Sequence, residues 1–273
     1  MEKYLVVGNP IDHSLSPQLH NYWLQKNNIN GIYNKQKLSK NDLEHLIVRI
    51  KNKEIAGVNV TVPFKKEIIS YLDELTLEAD KTQSVNTVLL LNNKVIGHNT
   101  DVSGFEKAIK DTKYNLSGKK TLILGAGGVV SSIILALFKM KVFSVTISNR
   151  TKAKAENLRD YYNSFMSLEL NQSKIEVLDW GEIKEFDMII NATSVGLKNG
   201  ENLDLDLSKV GKNKFFYDLI YNPKETNFLR MGRKFGNKTE NGKKMFVYQA
   251  AQAFKIWHDI QPEINDEVNK LLD

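Results

Sequence analysis

The chain has 273 residues, 41% apolar and 26% charged, with no cysteine and a formal net charge of +6 at pH 7. These are the proportions of a globular protein of one large or two ordinary domains; they exclude disulfides and cysteine-ligated metal, and they fit a reducing cytoplasm. Lysines are spread along the whole chain with no dense basic block interleaved with aromatics, so the charge reads as general affinity for anionic ligands and argues against a nucleic-acid surface.

Tyr4 to Val7 reads as a strand, not as part of a signal peptide, and ends in the turn residues Gly8, Asn9 and Pro10. Ser16 before Pro17 is a helix start with the hydroxyl as N-cap, and Leu19, Tyr22 and Trp23 continue its apolar face. Ser14 has no such local duty, so a second reading has both hydroxyls holding an anionic group. Tyr33 to Leu38 forms a second strand, and Asn41 to Lys51 a helix with Leu43, Leu46, Ile47 and Ile50 on one face. Gly57 to Val62 alternates as a strand that presents Asn59 and Thr61 to one side, and Pro63 is expected to open a helix. Polar groups in a buried strand are costly unless bonded, which marks this strand end as a ligand position. Lys65 just beyond is either a solvated lysine of a helix start or a group aimed at that ligand.

Ser84 to Leu91 and Val95 to Asn99 read as a hairpin turning at Asn92 and Asn93. Its open ends gather Asn86, Thr87, Asn99, Thr100 and Asp101: two amides, two hydroxyls and a carboxylate. Asp101 can equally be the N-cap of the helix predicted over Val102 to Ile109. A first domain boundary falls near 101 to 118.

From Thr121 to Lys154 the chain reads strand, turn, helix, strand in about 30 residues, the size of one βαβ unit. Thr121 to Leu124 enters the cluster Gly125, Ala126, Gly127, Gly128, Val129, where glycines let the backbone bend and let a pyrophosphate approach the N–H groups opening the helix. The pattern is GxGG, with Val130 where a third small residue would stand, so a plain tight turn is the competing reading. After the second strand come Asn149, Arg150 and Thr151, with Lys152 and Lys154 behind; no acid is there to bind ribose hydroxyls, and a guanidinium suits a 2′-phosphate, which favours NADP over NAD. Thr121 to Phe138 is eighteen residues without a charge, yet its glycines, serines and β-branched start argue against a membrane span.

Beyond Lys154 a helix runs to Tyr162, followed by strands at Ile175 to Leu178, Met188 to Ala192 and Phe215 to Ile220. The last two end in polar segments, Asn191 to Gly196 and Asp218 to Pro223, where a parallel sheet binds ligands, although both can be ordinary turns. Gly242 to Trp257 is a mostly core helix, with Gln249 out of place on an apolar face.

Taken together these segments resemble the shikimate dehydrogenase family from end to end. GNPIDHSLSPQLHN (Gly8 to Asn21) is similar to the family's first signature, which implies that Ser14 and Ser16 bind the substrate carboxylate. NVTVPFK (Asn59 to Lys65) resembles the second and implies a catalytic Lys65, with Asn59 and Thr61 on the substrate. Two further segments imply Asn86 and Asp101. GAGG and NRT resemble the NADP turn and the 2′-phosphate clamp, and NATSVG, DLIYNPKET and NGKKMFVYQA imply Thr193, Leu219 and Gly242 for the cofactor and Tyr221 and Gln249 for the substrate. Val129 to Ser132, Ser84, His258 and Asp259 depart from the usual pattern and bear on helix packing more than on binding.

The expected fold is α/β in two domains: an α/β substrate domain with a mostly parallel sheet over 1–101 plus 241–273, and a Rossmann-like, doubly wound NADP domain over 102–240, with the active site between them. The implied reaction is reversible hydride transfer between NADPH and 3-dehydroshikimate, on the route to chorismate and the aromatic amino acids. The expected partners are this small-molecule substrate and NADP, with no metal, nucleic acid or membrane, in a monomer or homodimer. An NAD-linked quinate/shikimate dehydrogenase and a catalytically silent NADP-binding regulator are the alternatives.

Overall fold

Five consecutive buried residues, Tyr4 to Gly8, make the first strand a central one with no solvent face. The computed structural model in which this is seen describes residues 1–169, 174–198 and 200–272, and the side chains among these outside 165–169. The chain folds as two compact units, Met1–Phe105 with Val247–Asp273, and Glu106–Phe246.

The first unit contains β1 (Glu2–Gly8), α1 (Ser16–Lys26), β2 (Gly31–Lys37), α2 (Leu43–Lys51), β3 (Gly57–Val60), β4 (Glu74–Leu75), α3 (Leu77–Thr82), β5 (Thr87–Leu91), β6 (Lys94–His98) and the opening of α4 (Asp101–Asp111). Its sheet has the order β2-β1-β3-β5-β6-β4. The pairs β2–β1, β1–β3 and β4–β6 are parallel, while β5 runs antiparallel to both β3 and β6. Parallel pairing dominates, and the hairpin supplies the exception. At its tip Asn92 and Asn93 both take positive φ, 50° and 62°, the backbone of a tight two-residue turn that asparagine tolerates well. Helix α2 buries Leu43, Leu46, Ile47 and Ile50, the face its periodicity predicts.

The second unit contains β7 (Lys120–Leu124), α5 (Val130–Lys139), β8 (Ser144–Ser148), α6 (Lys152–Glu169), β9 (Lys174–Leu178), β10 (Met188–Asn191), β11 (Phe215–Asp218), α7 (Asn227–Lys234) and β12 (Lys238–Glu240). Its sheet is β12-β11-β10-β7-β8-β9, parallel throughout. Numbered within the unit this is 3-2-1-4-5-6, the doubly wound dinucleotide order, whose switch point lies between β7 and β10. The chain then enters α8 (Lys243–His258) and α9 (Asp266–Leu271), which from Val247 onward belong to the first unit. There Phe254 packs against Trp23, and the Trp23 indole N–H donates to the Glu263 carbonyl at 2.9 Å.

One local expectation needs correction, and one is borne out. Pro63 opens no helix: the Val62–Pro63 bond is cis, a turn follows, and the next helical residues are a short 3₁₀ stretch, Glu67–Tyr71. The uncharged run from Thr121 to Phe138 is divided into β7, the glycine turn and α5, and among the described residues no helix is long and apolar enough to cross a membrane.

Candidate active site

In the first unit the chemistry gathers around Lys65 and Asp101. Lys65 lies in the turn after β3, where Phe64 is buried beside it and the Lys65 carbonyl accepts from Val85 N at 2.8 Å, fixing the backbone. Its ammonium donates to Asp101 Oδ2 at 2.6 Å, and the two side chains are only 12% and 6% exposed. Asn86 Nδ2 donates to the other carboxylate oxygen at 2.9 Å. Asp101 is free for this because it is not the cap of α4. Asn99 Oδ1 accepts from the Asp101 and Val102 N–H groups at 3.0 and 3.2 Å, so the asparagine two positions earlier satisfies the helix start.

The amides around the pair form a lattice. Asn86 Oδ1 accepts from Thr100 N at 2.8 Å, while its Nδ2 also reaches Thr100 Oγ1 at 2.9 Å and Gln249 Oε1 at 3.4 Å. The polar ends of the hairpin and the misplaced glutamine of α8 are thus brought together. Asn59 faces inward: Tyr33 OH donates to its Oδ1 at 2.7 Å, and its Nδ2 donates to the Asn86 carbonyl and to Thr87 Oγ1, both at 3.0 Å. Both amide hydrogens of Asn59 are therefore committed to the frame. Tyr33, which the sequence marks only as a strand residue, proves part of it. At the start of α1, Ser16 is the first helical residue and not the cap; Ser14 Oγ accepts from Ser16 N at 3.3 Å, giving Ser14 the local duty it seemed to lack. Thr61 follows β3, its N–H donating to the Val7 carbonyl at 2.9 Å.

In the second unit, Gly125 leaves β7 with φ +110°, and a Cβ there would sit 2.9 Å from the Ala192 carbonyl oxygen. Gly127 and Gly128 face open space, with nothing within 4 Å of an added Cβ. The turn thus leaves the N–H groups before α5, with Ala126 and Val129 at its ends, a side-chain-free approach of the kind a pyrophosphate needs. At the end of β8, Asn149 Nδ2 donates to the Thr151 carbonyl at 2.8 Å and shapes the turn. Lys152 is occupied by Asp179 at 2.6 Å, whereas among the described residues Arg150 and Lys154 are exposed and carry no ion pair. Two uncommitted cations beyond the second strand, with no acid between them, fit a 2′-phosphate.

The ends of β10 and β11 are joined. Asn191 Nδ2 donates to Asp218 Oδ1 and to the Val195 carbonyl, each at 3.1 Å, and its Oδ1 accepts from Thr193 Oγ1 at 2.7 Å. Asp218 also accepts from Ile220 N at 3.0 Å and from the Thr226 hydroxyl at 2.5 Å. Burial pushes the Asp218 carboxyl up to about 6 against the pull of these donors. Gly242 presses on the Leu219 carbonyl, and the Tyr221 ring stacks on Phe246 with centroids 4.5 Å apart.

Residues 6–88 match the family model of the shikimate dehydrogenase substrate binding domain, and residues 106–223 that of shikimate / quinate 5-dehydrogenase. The chain is 52% identical to a shikimate dehydrogenase (NADP(+)) of Pelagibacter ubique, over 99% of this chain and 98% of that one. It is 41% identical to a protein of the same name from Caldanaerobacter subterraneus, over 92% and 90% of the two chains. Among solved structures, shikimate 5-dehydrogenase of Thermus thermophilus in complex with NADP(H) and shikimate superposes with a TM-score of 0.87 at 29% identity, covering 100% of this chain and 98% of that one. The Listeria monocytogenes enzyme in complex with shikimate and NAD gives 0.89 at 30% identity, covering 100% and 96%. With both family models matched in order along one chain, and a relative more than half identical from end to end, this protein belongs to the shikimate dehydrogenase family.

Proposed function

We infer that this chain is an NADP-dependent shikimate dehydrogenase, which reversibly reduces 3-dehydroshikimate to shikimate in aromatic amino acid biosynthesis. The observation that carries the reading is the Lys65–Asp101 pair, buried at 2.6 Å and locked by Asn86. When bound, NADPH supplies the hydride to the ring ketone. The protein's own part is the proton. As negative charge builds on the ketone oxygen, the Lys65 ammonium stabilises it and delivers a proton from Nζ; in the reverse direction the amine removes it. Asp101 holds Nζ in place, and, with each oxygen accepting one donor from Lys65 or Asn86, offers a second lone pair to a substrate hydroxyl.

The unit Met1–Phe105 with Val247–Asp273 takes the substrate. Ser14 and Ser16 meet the carboxylate as neutral donors, and Thr61, Asn86 and Gln249 meet the ring hydroxyls. Asn59, with both hydrogens spent, contributes one oxygen lone pair at most and otherwise orients Asn86. The unit Glu106–Phe246 takes NADP, with the pyrophosphate on the turn from Gly125 to Val129, the 2′-phosphate on Arg150, Thr151 and Lys154, and the remainder along Thr193, Leu219 and Gly242. The reading extends to a monomer or homodimer working in the cytoplasm on small molecules, with no role for nucleic acid; dispersed lysines and the lack of cysteine support it.

A spectrophotometric assay of shikimate oxidation with NADP and, separately, with NAD tests the proposal. Turnover with NADP at a kcat/KM well above that with NAD is expected. Preference for NAD would instead support an NAD-linked quinate/shikimate enzyme, and NADP binding without turnover would leave a silent regulator.

A further inference from the structure

Among the described residues Asp218 is the one fully buried carboxylate at the carboxyl edge of the parallel sheet, and the proton chemistry above makes no use of it. Its neighbours show what it does. Through Oδ1 it takes one hydrogen of Asn191 Nδ2 and the Ile220 N–H; through Oδ2 it takes the Thr226 hydroxyl. The first bond sets which way the Asn191 amide faces. With Nδ2 directed to Asp218 and the Val195 carbonyl, Oδ1 is left for Thr193, whose N–H and hydroxyl donate to it at 3.1 and 2.7 Å. Flipping that amide would set two donors against two donors, so Asp218 decides the conformation of the Thr193 turn one residue removed. The bond to Thr226 controls the far end of the same loop. Gly196, at φ +114°, packs on Thr226, where an added Cβ would lie 3.0 Å from Cγ2. The bond to Ile220 holds the other loop, since the Ile220 carbonyl accepts from Gly242 N at 3.1 Å and the Leu219 carbonyl abuts Gly242.

One buried carboxylate therefore bonds directly to Asn191 at the end of β10, to Ile220 beyond β11 and to Thr226 before α7. The geometry points to Asp218 as a positioning residue that holds the Thr193 loop and the Leu219 turn in the shape required by the part of NADP lying beyond these strand ends. It touches neither substrate nor cofactor and acts through Asn191, Ile220 and Thr226. The inference rests on the reading of this unit as the NADP site, and it gives a positioning role to Asp218, which the sequence marks only as the first residue of a polar strand end.

The test uses the whole enzyme and NADPH. Asp218→Ala should raise the KM for NADPH by about tenfold or more and lower kcat, because small misplacements of a bound reactant are costly, while the KM for 3-dehydroshikimate stays near the wild-type value. Asp218→Asn, which keeps an acceptor for Asn191 and Ile220, should restore most of both constants. A purely structural role would lower the melting temperature and leave both KM values alone, and that result overturns the proposal. So does an Asp218→Asn variant as impaired as the alanine. If Asp218→Ala does not fold, Asn191→Ala cuts the same link from the other side. The same split between the two KM values is then expected, with unchanged values counting against the idea. Failure of wild-type protein to bind NADPH in a fluorescence titration would instead sink the reading of the site itself, and the proposal with it.

Discussion

At the scale of single residues, the arrangement around Lys65 shows why a family signature and a physical argument converge on one ammonium. Burying an ammonium is costly unless it is paired, and Asp101 Oδ2 at 2.6 Å is the partner. Asp101 in turn is free to pair with Lys65 because Asn99 caps α4, and Asn86 donates to its second oxygen and orients it. Lys65→Ala is expected to reduce turnover by at least about a hundredfold, the lower range for lost acid–base catalysis, with a modest change in shikimate KM. Removing one partner also leaves a carboxylate buried and unpaired, so circular dichroism must show the variant folded at the assay temperature. Near-normal turnover in folded Lys65→Ala would remove lysine from the mechanism. The sequence made the pair visible, because NVTVPFK and the hairpin ends are distinctive stretches. It did not make the frame visible. Asn99 and Asp101 are equally good capping residues on paper, and only the path of the backbone decides between them. Tyr33 looks like any strand aromatic until its hydroxyl is seen on Asn59.

Among the elements, those with strong periodicity or a distinctive turn were legible: α2 from its apolar face, the hairpin from Asn92 and Asn93, the βαβ unit from its glycines. Strands β4 and β12 were not, being two and three residues long and mostly polar, without room for a pattern. The helix expected at Pro63 failed for another reason: proline at a helix start and proline in a cis turn look alike in sequence. Glycines at the two turns proposed for NADP separate in the same way once space is measured. Gly242 is a glycine because the chain crosses Leu219 there, an added Cβ lying 2.1 Å from a carbonyl oxygen that cannot swing aside. Gly127 has open space above it. Gly242→Ala should cost about 1–3 kcal/mol of stability through overpacking and also weaken NADPH binding. Gly127→Ala should leave the melting temperature of the free protein nearly unchanged and raise the KM for NADPH, since the methyl occupies the approach to the turn. Thermal melts with and without NADPH separate the two; equal destabilisation of the free protein by both would show that the open space at Gly127 is filled in solution.

For the molecule as a whole, the two units carry buried titratable groups that respond to acid in opposite directions. In the first unit His20 stacks on Tyr33, ring centroids 4.3 Å apart and 4° from parallel, with Trp23 and Trp257 against it, and its Nε2 is buried with no partner. Burial, helped by the nearby His258, lowers its pKa to about 3 from an ordinary value of 6.5. The unfolded chain therefore binds the proton first. The stability that neutral His20 contributes is complete above pH 6.5 and is lost as pH falls toward 3, at about 1.4 kcal/mol per pH unit. Asp218, in the second unit, behaves inversely. Its carboxyl is raised from 3.8 to about 6, so the native state binds the proton first, and its contribution is complete below pH 3.8 and lost as pH rises through 6. Between pH 4 and 6 the two slopes oppose each other, and the wild-type melting curve alone would hide both. Differences between variants expose them. The melting temperature of His20→Phe relative to wild type should climb as pH falls from 6.5 to 4.5, because phenylalanine has no proton to take up on unfolding. That of Asp218→Asn relative to wild type should fall over the same range, because only the wild type gains from protonating the buried carboxyl. Differences that do not change with pH would mean that His20 is charged, or Asp218 ionised, in the native fold throughout this range, and the burial argument for that group would be wrong.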